Sequence, residues 1–237
     1  MFRKISHDEM GKGEHGGWLK STYHFSFARY FNPDNVNFGV LRVLNDDLIG
    51  PGRGFDPHPH NDMEIVTYVV DGELTHGDSM GNERTLHRGE VQYMSAGSGI
   101  THSEYNRGKD TLRLLQLWIL PDREGYPPRY GELRPDWEER RNRWLHLVSG
   151  EGGSAPVKVH QDVNISAAWI VQGNPLDLEV RPGRQAYLVV IEGQALIGDL
   201  VLEGRDALEI KEESTTIEAG AQTHLLLVEM TLDPVSG

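Results

Sequence analysis

His58-Pro59-His60 and His102-Ser103-Glu104 are the two stretches from which this chain is best read. Each places two metal-capable side chains at i and i+2, and on a β-strand that spacing points both to the same face. Two such pairs on neighbouring strands aim three imidazoles and one carboxylate at a single point. That donor set suits a divalent first-row transition metal. The chain has no cysteine, so thiolate sites and disulfides are excluded and any metal rests on His and carboxylate. His7, His15, His76, His87, His146, His160 and His224 stand alone and are read as surface or satisfied structural histidines.

Working outward, glycines flank both pairs. Gly52 lies six positions before His58, Gly72 follows the first pair, Gly89 and Gly97 precede the second, and Asn106 lies four positions after His102. This layout resembles the two cupin motifs. Short runs rich in Val, Ile, Leu and aromatics predict strands over 38–44, 65–70, 91–94 and 112–120. Asp71-Gly72, between Val69-Val70 and Glu73-Leu74, predicts a type I′ hairpin, whose two turn positions both take positive φ. Gly81-Asn82 marks a second reversal. With no long amphipathic helix, the pattern predicts an all-β protein of antiparallel sandwich or barrel type.

The segment 121–135 holds four prolines with Gly125 and Gly131 and reads as a linker or crossing loop. The charged stretch 136–143 reads as a short helix or a solvated loop. Beyond it, strands are predicted over 144–148, 167–171, 187–191, 207–210 and 225–230. Val69-Val70-Asp71-Gly72-Glu73-Leu74 aligns without gaps on Val190-Ile191-Glu192-Gly193-Gln194-Ala195, the mark of a duplicated unit. At that offset His58 and His60 fall on Glu179 and Arg181, and the second half repeats neither His-x-His nor His-x-Glu. The expected organisation is an N-terminal metal-binding barrel over 1–130, a linker over 131–143, and a C-terminal barrel without metal over 144–237.

Composition sets the outer bounds. At 38% hydrophobic and 25% charged the 237 residues suit a folded globular protein. The net charge of −13 argues against a nucleic-acid surface and against adsorption to anionic membranes. The first residues lack the apolar stretch of a signal peptide, and no apolar run has the length of a membrane span. A cytoplasmic protein is expected.

The carboxylate ligand has two candidates. Some cupins take it from the first motif, where Glu64 sits close to the expected place, but the longer form of that motif fits better here and would put the ligand at Ile65. Glu104 is therefore preferred as ligand, and Glu64, with Asp62 behind it, is left to orient ligand imidazoles.

Several blocks carry a more specific resemblance. Gly17-Trp18-Leu19-Lys20-Ser21-Thr22-Tyr23-His24-Phe25-Ser26-Phe27-Ala28-Arg29-Tyr30 resembles the opening of the pirin family. So do Leu41-Arg42-Val43-Leu44-Asn45-Asp46-Asp47, Gly54-Phe55-Asp56-Pro57-His58-Pro59-His60, Asp62-Met63-Glu64-Ile65 and Asp78-Ser79-Met80-Gly81-Asn82. Ser95-Ala96-Gly97-Ser98-Gly99-Ile100, running into His102-Ser103-Glu104, completes the set. Ser95 stands where general cupins have proline, with a longer loop before His102, and pirin-like proteins share both. The resemblance implies a bicupin of two antiparallel β-barrels (double-stranded β-helix or jelly-roll type). It places one metal in the N-terminal barrel, on His58, His60, His102 and Glu104.

The pirin family includes bacterial proteins similar to quercetin 2,3-dioxygenases and a eukaryotic nuclear protein that acts as a transcriptional co-regulator. The resemblance thus implies an oxidoreductase that opens the heterocycle of a flavonol such as quercetin with O2 and releases carbon monoxide. Iron is the first expectation for the metal, with Mn, Co, Ni, Cu and Zn compatible with the same donors. Glu104 is the expected proton acceptor for the substrate hydroxyl, and Phe55, Met94 and Trp118 are candidate walls for a flat aromatic. The alternatives are a cupin enzyme acting on another small metabolite and a non-enzymatic metal-binding regulator working through a protein partner.

Overall fold

The computed structural model describes residues 1–232, and strands make up nearly all of its regular structure. Among the described residues the helical elements are two short 3-10 turns, His7–Glu9 and Trp137–Arg140. No helix is long and apolar enough to cross a membrane. The chain divides into two compact units.

The N-terminal unit comprises Gly11–Pro135 with Val159–Gln161. Its larger sheet has seven strands in the order Arg129–Leu133, Val91–Ser95, Glu64–Asp71, Leu112–Ile119, Leu41–Ile49, Leu19–Tyr23, Gly11–His15. Its smaller sheet has four, in the order Arg53–His60, Ile100–Asn106, Glu73–Asp78, Glu83–His87. The C-terminal unit comprises Met1–Met10, Asp136–Lys158 and the chain from Asp162 onward. It repeats the plan, with Phe2–Ile5, Ala207–Lys211, Arg184–Glu192, Thr223–Thr231, Val163–Ile170, Leu145–Gly150 and Val157–Val159 in its larger sheet. Its smaller sheet runs Pro175–Leu178, Thr215–Ala219, Gln194–Ile197, Leu200–Glu203. In each unit the two sheets are separate in their hydrogen bonding.

The gapless alignment of the halves falls on matching places in the two plans. Glu64–Asp71 lies in the larger sheet and the next strand, Glu73–Asp78, in the smaller one; Arg184–Glu192 and Gln194–Ile197 repeat this. Asp71-Gly72 is therefore a corner between sheets, where a hairpin was expected. Only Gly72 has a positive φ, +79°, so the turn is not type I′. The corner demands glycine on two grounds. An added Cβ would stand 2.9 Å from Leu112 Cα, and at Gly193 (φ +86°) it would stand 2.2 Å from the Gln222 carbonyl oxygen. Gly81-Asn82 does reverse the chain, between the paired strands Glu73–Asp78 and Glu83–His87.

Other margins differ from the sequence-based expectation for physical reasons. A strand was expected over 38–44, short of Asn45-Asp46-Asp47. The strand is Leu41–Ile49 instead, and it buries all three polar residues. Asp46 can be buried because Arg113 on the neighbouring strand meets it at 2.7 Å. Part of the segment expected as linker is the edge strand Arg129–Leu133, paired with Val91–Ser95. Asp136 and Glu139 form a reciprocal capping box that starts the short helix Trp137–Arg140. The first ten residues, expected with the N-terminal barrel, belong to the C-terminal unit, where Phe2–Ile5 pairs with Ala207–Lys211.

The corner glycines give a direct test. Gly193 and Gly173 both have positive φ, but an added Cβ at Gly173 meets nothing within 4 Å. Gly173→Ala is expected to lose about 1–2 kcal/mol from the backbone alone. Gly193→Ala is expected to lose more, because Gln222 and Thr223 must also move. Urea denaturation of the two variants measures the difference.

Candidate metal centre

Strands Arg53–His60 and Ile100–Asn106 are paired neighbours, and His102 lies directly opposite His58. The three imidazoles converge as the i, i+2 spacing predicts. Ring centroids are 4.9 Å apart for His58 and His60, 4.5 Å for His58 and His102, and 5.0 Å for His60 and His102. One donor nitrogen from each lies within 4.8 Å of the others. The Nδ1–H of His58 donates to the Asp56 carbonyl at 2.8 Å, which leaves Nε2 with its lone pair free for a ligand.

His102 is the most informative of the three. Its side chain is 2% exposed, and neither ring nitrogen has a hydrogen-bond partner among the described residues. Two buried, unpaired polar atoms on one ring are costly unless something binds them. Burial pushes its pKa down to about 3, with the charges of His58 and His76 adding to the effect. Burial likewise takes His60 to about 4, helped by His102 and His58. Both rings are therefore neutral near pH 7 and keep the lone pair a metal needs. These residues fit a divalent transition ion.

Glu104 is 1% exposed and sits beyond a bulge in the pairing, opposite Phe55 on one side and His76 on the other. Its carboxylate is held by neutral donors. Gln92 Nε2 donates to Oε1 at 2.7 Å, Thr67 Oγ1 to the same oxygen at 3.3 Å, and Gln116 Nε2 to Oε2 at 2.6 Å. The Gln116 amide is itself oriented by Trp118, whose indole N–H donates to its oxygen at 3.2 Å.

These donors form one rung of the larger sheet: Asn45 pairs with Gln116, Gln116 with Thr67, and Thr67 with Gln92. The rung lies between two apolar layers. On one side are Ile49, Val69 and Leu114; on the other are Ile65, Met94 and Trp118. At the offset that aligns the two halves, Thr67 corresponds to Leu188 in the C-terminal unit. Leu188 pairs with Leu227 and Leu208, and Leu227 with Ser166, so leucines stand there in the places of Thr67, Gln116 and Gln92, and Ser166 in the place of Asn45. Glu179 and Arg181, which align with His58 and His60, are exposed and bond to each other at 2.8 Å.

Glu64 does not orient the ligand imidazoles. It lies one residue out of phase with Ile65 and Thr67, and its carboxylate accepts from Tyr93 at 2.5 Å and Ser95 at 2.6 Å. The backbone N–H of His160 adds a third bond at 3.0 Å, so Glu64 fastens the segment Val159–Gln161 to the N-terminal unit. Asp62 has φ +45° and accepts from the Gly125 N–H at 2.7 Å, again away from the imidazoles. Sequence reading passed over Asp47, Thr67, Gln92, Gln116 and His76. The available signal was parity: Thr67 and Gln116 are polar interruptions on the inward phase of otherwise apolar strands.

Of the expected aromatic walls, Phe55 lines a cleft of about 600 Å³ together with Tyr23, Phe27, Tyr30 and His15. Phe55 packs on His58, and Phe27 packs on Trp118, which in turn meets His60 edge-on at 4.9 Å. Met94 is instead fully buried in the apolar layer.

Comparison with known proteins agrees with this architecture. Residues 5–119 match the Pirin family model, and residues 146–230 match the quercetinase C-terminal cupin domain. A pirin-like protein of Caulobacter vibrioides is 42% identical, over 97% of this chain and 99% of its own. A quercetin 2,3-dioxygenase of Escherichia coli K12 is 38% identical, over 94% and 96%. The crystal structure of a bacterial pirin from Escherichia coli in complex with nickel(II) is 36% identical, covers 98% of this chain and 99% of that one, and superimposes with a TM-score of 0.91.

Two substitutions test the roles drawn here. Glu64→Gln should leave metal stoichiometry unchanged while lowering stability by about 1–3 kcal/mol, because a buried bonding network is broken; parallel metal analysis and denaturation check this. Asp47 is buried, and burial pushes its carboxyl up to about 7, with a Ser21 hydrogen bond opposing and the charges of Asp46 and Glu104 adding. The folded state then holds a proton that the unfolded chain releases at the ordinary value of 3.8, so wild-type stability falls as pH rises from there through about 7. Asp47→Asn should be more stable than wild type at pH 8, by on the order of 1–3 kcal/mol, and show little gain at pH 4.

Proposed function

The chain belongs to the pirin family, and from that premise we propose that it is a metal-dependent dioxygenase acting on a flavonol or a similar enolisable aromatic. One observation carries the reading. Three imidazoles converge on a point where His102 presents two unpaired buried nitrogens, beside a buried carboxylate and an aromatic cleft. We assign His58, His60, His102 and Glu104 as ligands of one divalent ion, iron first. We read each pair of sheets as a cupin barrel, with metal only in the N-terminal one. The other unit supports that restriction, since leucines stand there in the places of Thr67, Gln116 and Gln92, the residues that donate to Glu104.

Bound there, the ion would supply open coordination positions for a chelating hydroxyl and for O2, and would acidify that hydroxyl. The chain's own residues do the rest. Phe27, Phe55 and Trp118 give a flat substrate apolar walls and keep water from the reacting ring. Glu104 keeps one free lone pair, on Oε2, which takes one hydrogen bond where Oε1 takes two, and it accepts the hydroxyl proton there on transient release from the ion. Gln116 and Gln92 hold the carboxylate in position through that exchange.

The test combines metal analysis, O2 uptake and the fall of the flavonol's yellow absorbance. One metal per chain is expected, and His60→Ala or His102→Ala should abolish stoichiometric binding. Glu104→Gln, compared at matched metal occupancy, should reduce turnover on the order of 100-fold or more. Unchanged turnover would leave Glu104 as a ligand only. A stoichiometry near two, or no turnover with any of Fe, Mn, Co, Ni or Cu, would overturn the proposal.

A further inference from the structure

We propose that His76, held by Asp78, is a positioning residue of the metal centre: its Nδ1 accepts the hydrogen bond of the His102 ring nitrogen that does not face the ion. This rests on the assignment of His102 as a ligand given above. The argument starts from strand pairing. Glu73–Asp78 is the other neighbour of Ile100–Asn106, with Asp78 directly opposite His102 and His76 directly opposite Glu104. A second His-x-Asp pair at i, i+2 thus faces the His-x-Glu pair across one sheet.

The state of His76 follows from its contacts. The ring is fully buried and lies stacked on Tyr130, with centroids 4.7 Å apart and planes 19° apart. Nε2 is 3.0 Å from Asp78 Oδ2. An ionised carboxylate only accepts, so a proton sits on Nε2, and in the neutral ring Nδ1 then carries a lone pair. Asp78 cannot turn away, because the N–H groups of Met80 and Asn82 and the Asn82 amide also donate to it, at 2.8–3.1 Å. The Gly81-Asn82 reversal therefore sets the Asp78 carboxylate, which sets the His76 ring.

His76 Nδ1 has no partner among the described residues, and neither has either nitrogen of His102. A metal-binding imidazole gives one nitrogen to the ion and keeps a proton on the other, which then needs an acceptor. The rings of His76 and His102 are 5.5 Å apart at 50°, and a donor nitrogen of each lies within 4.8 Å of the other. Asp78 and Tyr130 hold the His76 ring, so the turn that joins them is assigned to His102 as it takes the ion. Glu104 already accepts from Thr67, Gln92 and Gln116, and its one remaining lone pair, on Oε2, is the one assigned to the ion. Since His76, His102 and Glu104 also form a three-donor cluster, direct ligation by His76 is the rival that the experiment must separate.

The test is Ni(II) titration calorimetry on metal-free wild-type, His76→Leu and His76→Gln proteins. It is joined by long-range proton–nitrogen correlation spectra of the histidines in the Zn(II)-loaded wild type. His76→Leu should weaken Ni(II) binding about 10–100-fold. Its urea midpoint without metal should not fall correspondingly, since the leucine removes an unpaired buried nitrogen. His76→Gln, whose carbonyl oxygen still accepts, should keep most of the affinity. In the wild-type spectra His76 should be protonated at Nε2 and hydrogen-bonded but not metal-bound at Nδ1. Wild-type affinity in a folded His76→Leu protein, or equal weakening in both variants, would overturn the inference, as would a metal-bound His76 Nδ1. If His76→Leu does not fold, the wild-type spectra alone decide. Absence of Ni(II) and Zn(II) binding by wild-type protein would instead bring down the metal-centre assignment and this inference with it.

Discussion

A single buried carboxyl group, that of Glu104, dictates much of the N-terminal unit. A carboxyl with 1% exposure is tolerated inside an apolar sandwich only if hydrogen-bond partners meet its oxygens. Here the donors are neutral, and they come from one rung that crosses the larger sheet through Gln116, Thr67 and Gln92. None of them is an arginine or lysine, so no fixed positive charge stands against Glu104. The apolar layers above and below the rung exclude water, which strengthens each of these bonds. The C-terminal unit shows the same strand plan with leucine packed on leucine in the places of Thr67, Gln116 and Gln92.

How much of this was legible in the sequence depends on the range of the signal. Local periodicity revealed the histidine pairs, because i, i+2 on a strand is a property of adjacent residues. Gly72 and Gly193 were legible as turns, though their role as corners was not, since a hairpin and a corner share the same local chemistry. What decides between them is the backbone at 111–112 and 222–223, distant in sequence. The rung was invisible for the same reason: nothing near Gln116 says that Thr67 and Gln92 stand beside it. Asn45-Asp46-Asp47 misled because burial of Asp46 needs Arg113, contributed by another strand. Glu64 misled through sequence proximity alone, a one-residue step being enough to turn a side chain to the opposite face.

Unsatisfied groups show where the fold departs from its own rules. Asn45 Oδ1, Asp47 Oδ1, His76 Nδ1, Gln92 Oε1 and both nitrogens of His102 are buried without hydrogen-bond partners among the described residues. All sit on the rung, beside it, or on the strands that carry the centre. A core selected for stability alone would replace such residues with apolar ones, as the other unit has done. Their presence marks the region where stability gives way to function.

The composition of the two units has a further consequence for how such a protein can be cut or recombined. The N-terminal unit includes Val159–Gln161, and the C-terminal unit includes Met1–Met10, so each half lends a short piece of chain to the other's architecture. A fragment ending at Pro135 would keep Phe2–Ile5 but lose Ala207–Lys211, the strand that covers it, and would expose a bare edge open to aggregation. It would also leave the Glu64 carboxylate without the His160 amide. Neither half can therefore be expressed as a clean module, which ties the C-terminal half to the other's survival whatever chemistry it performs itself.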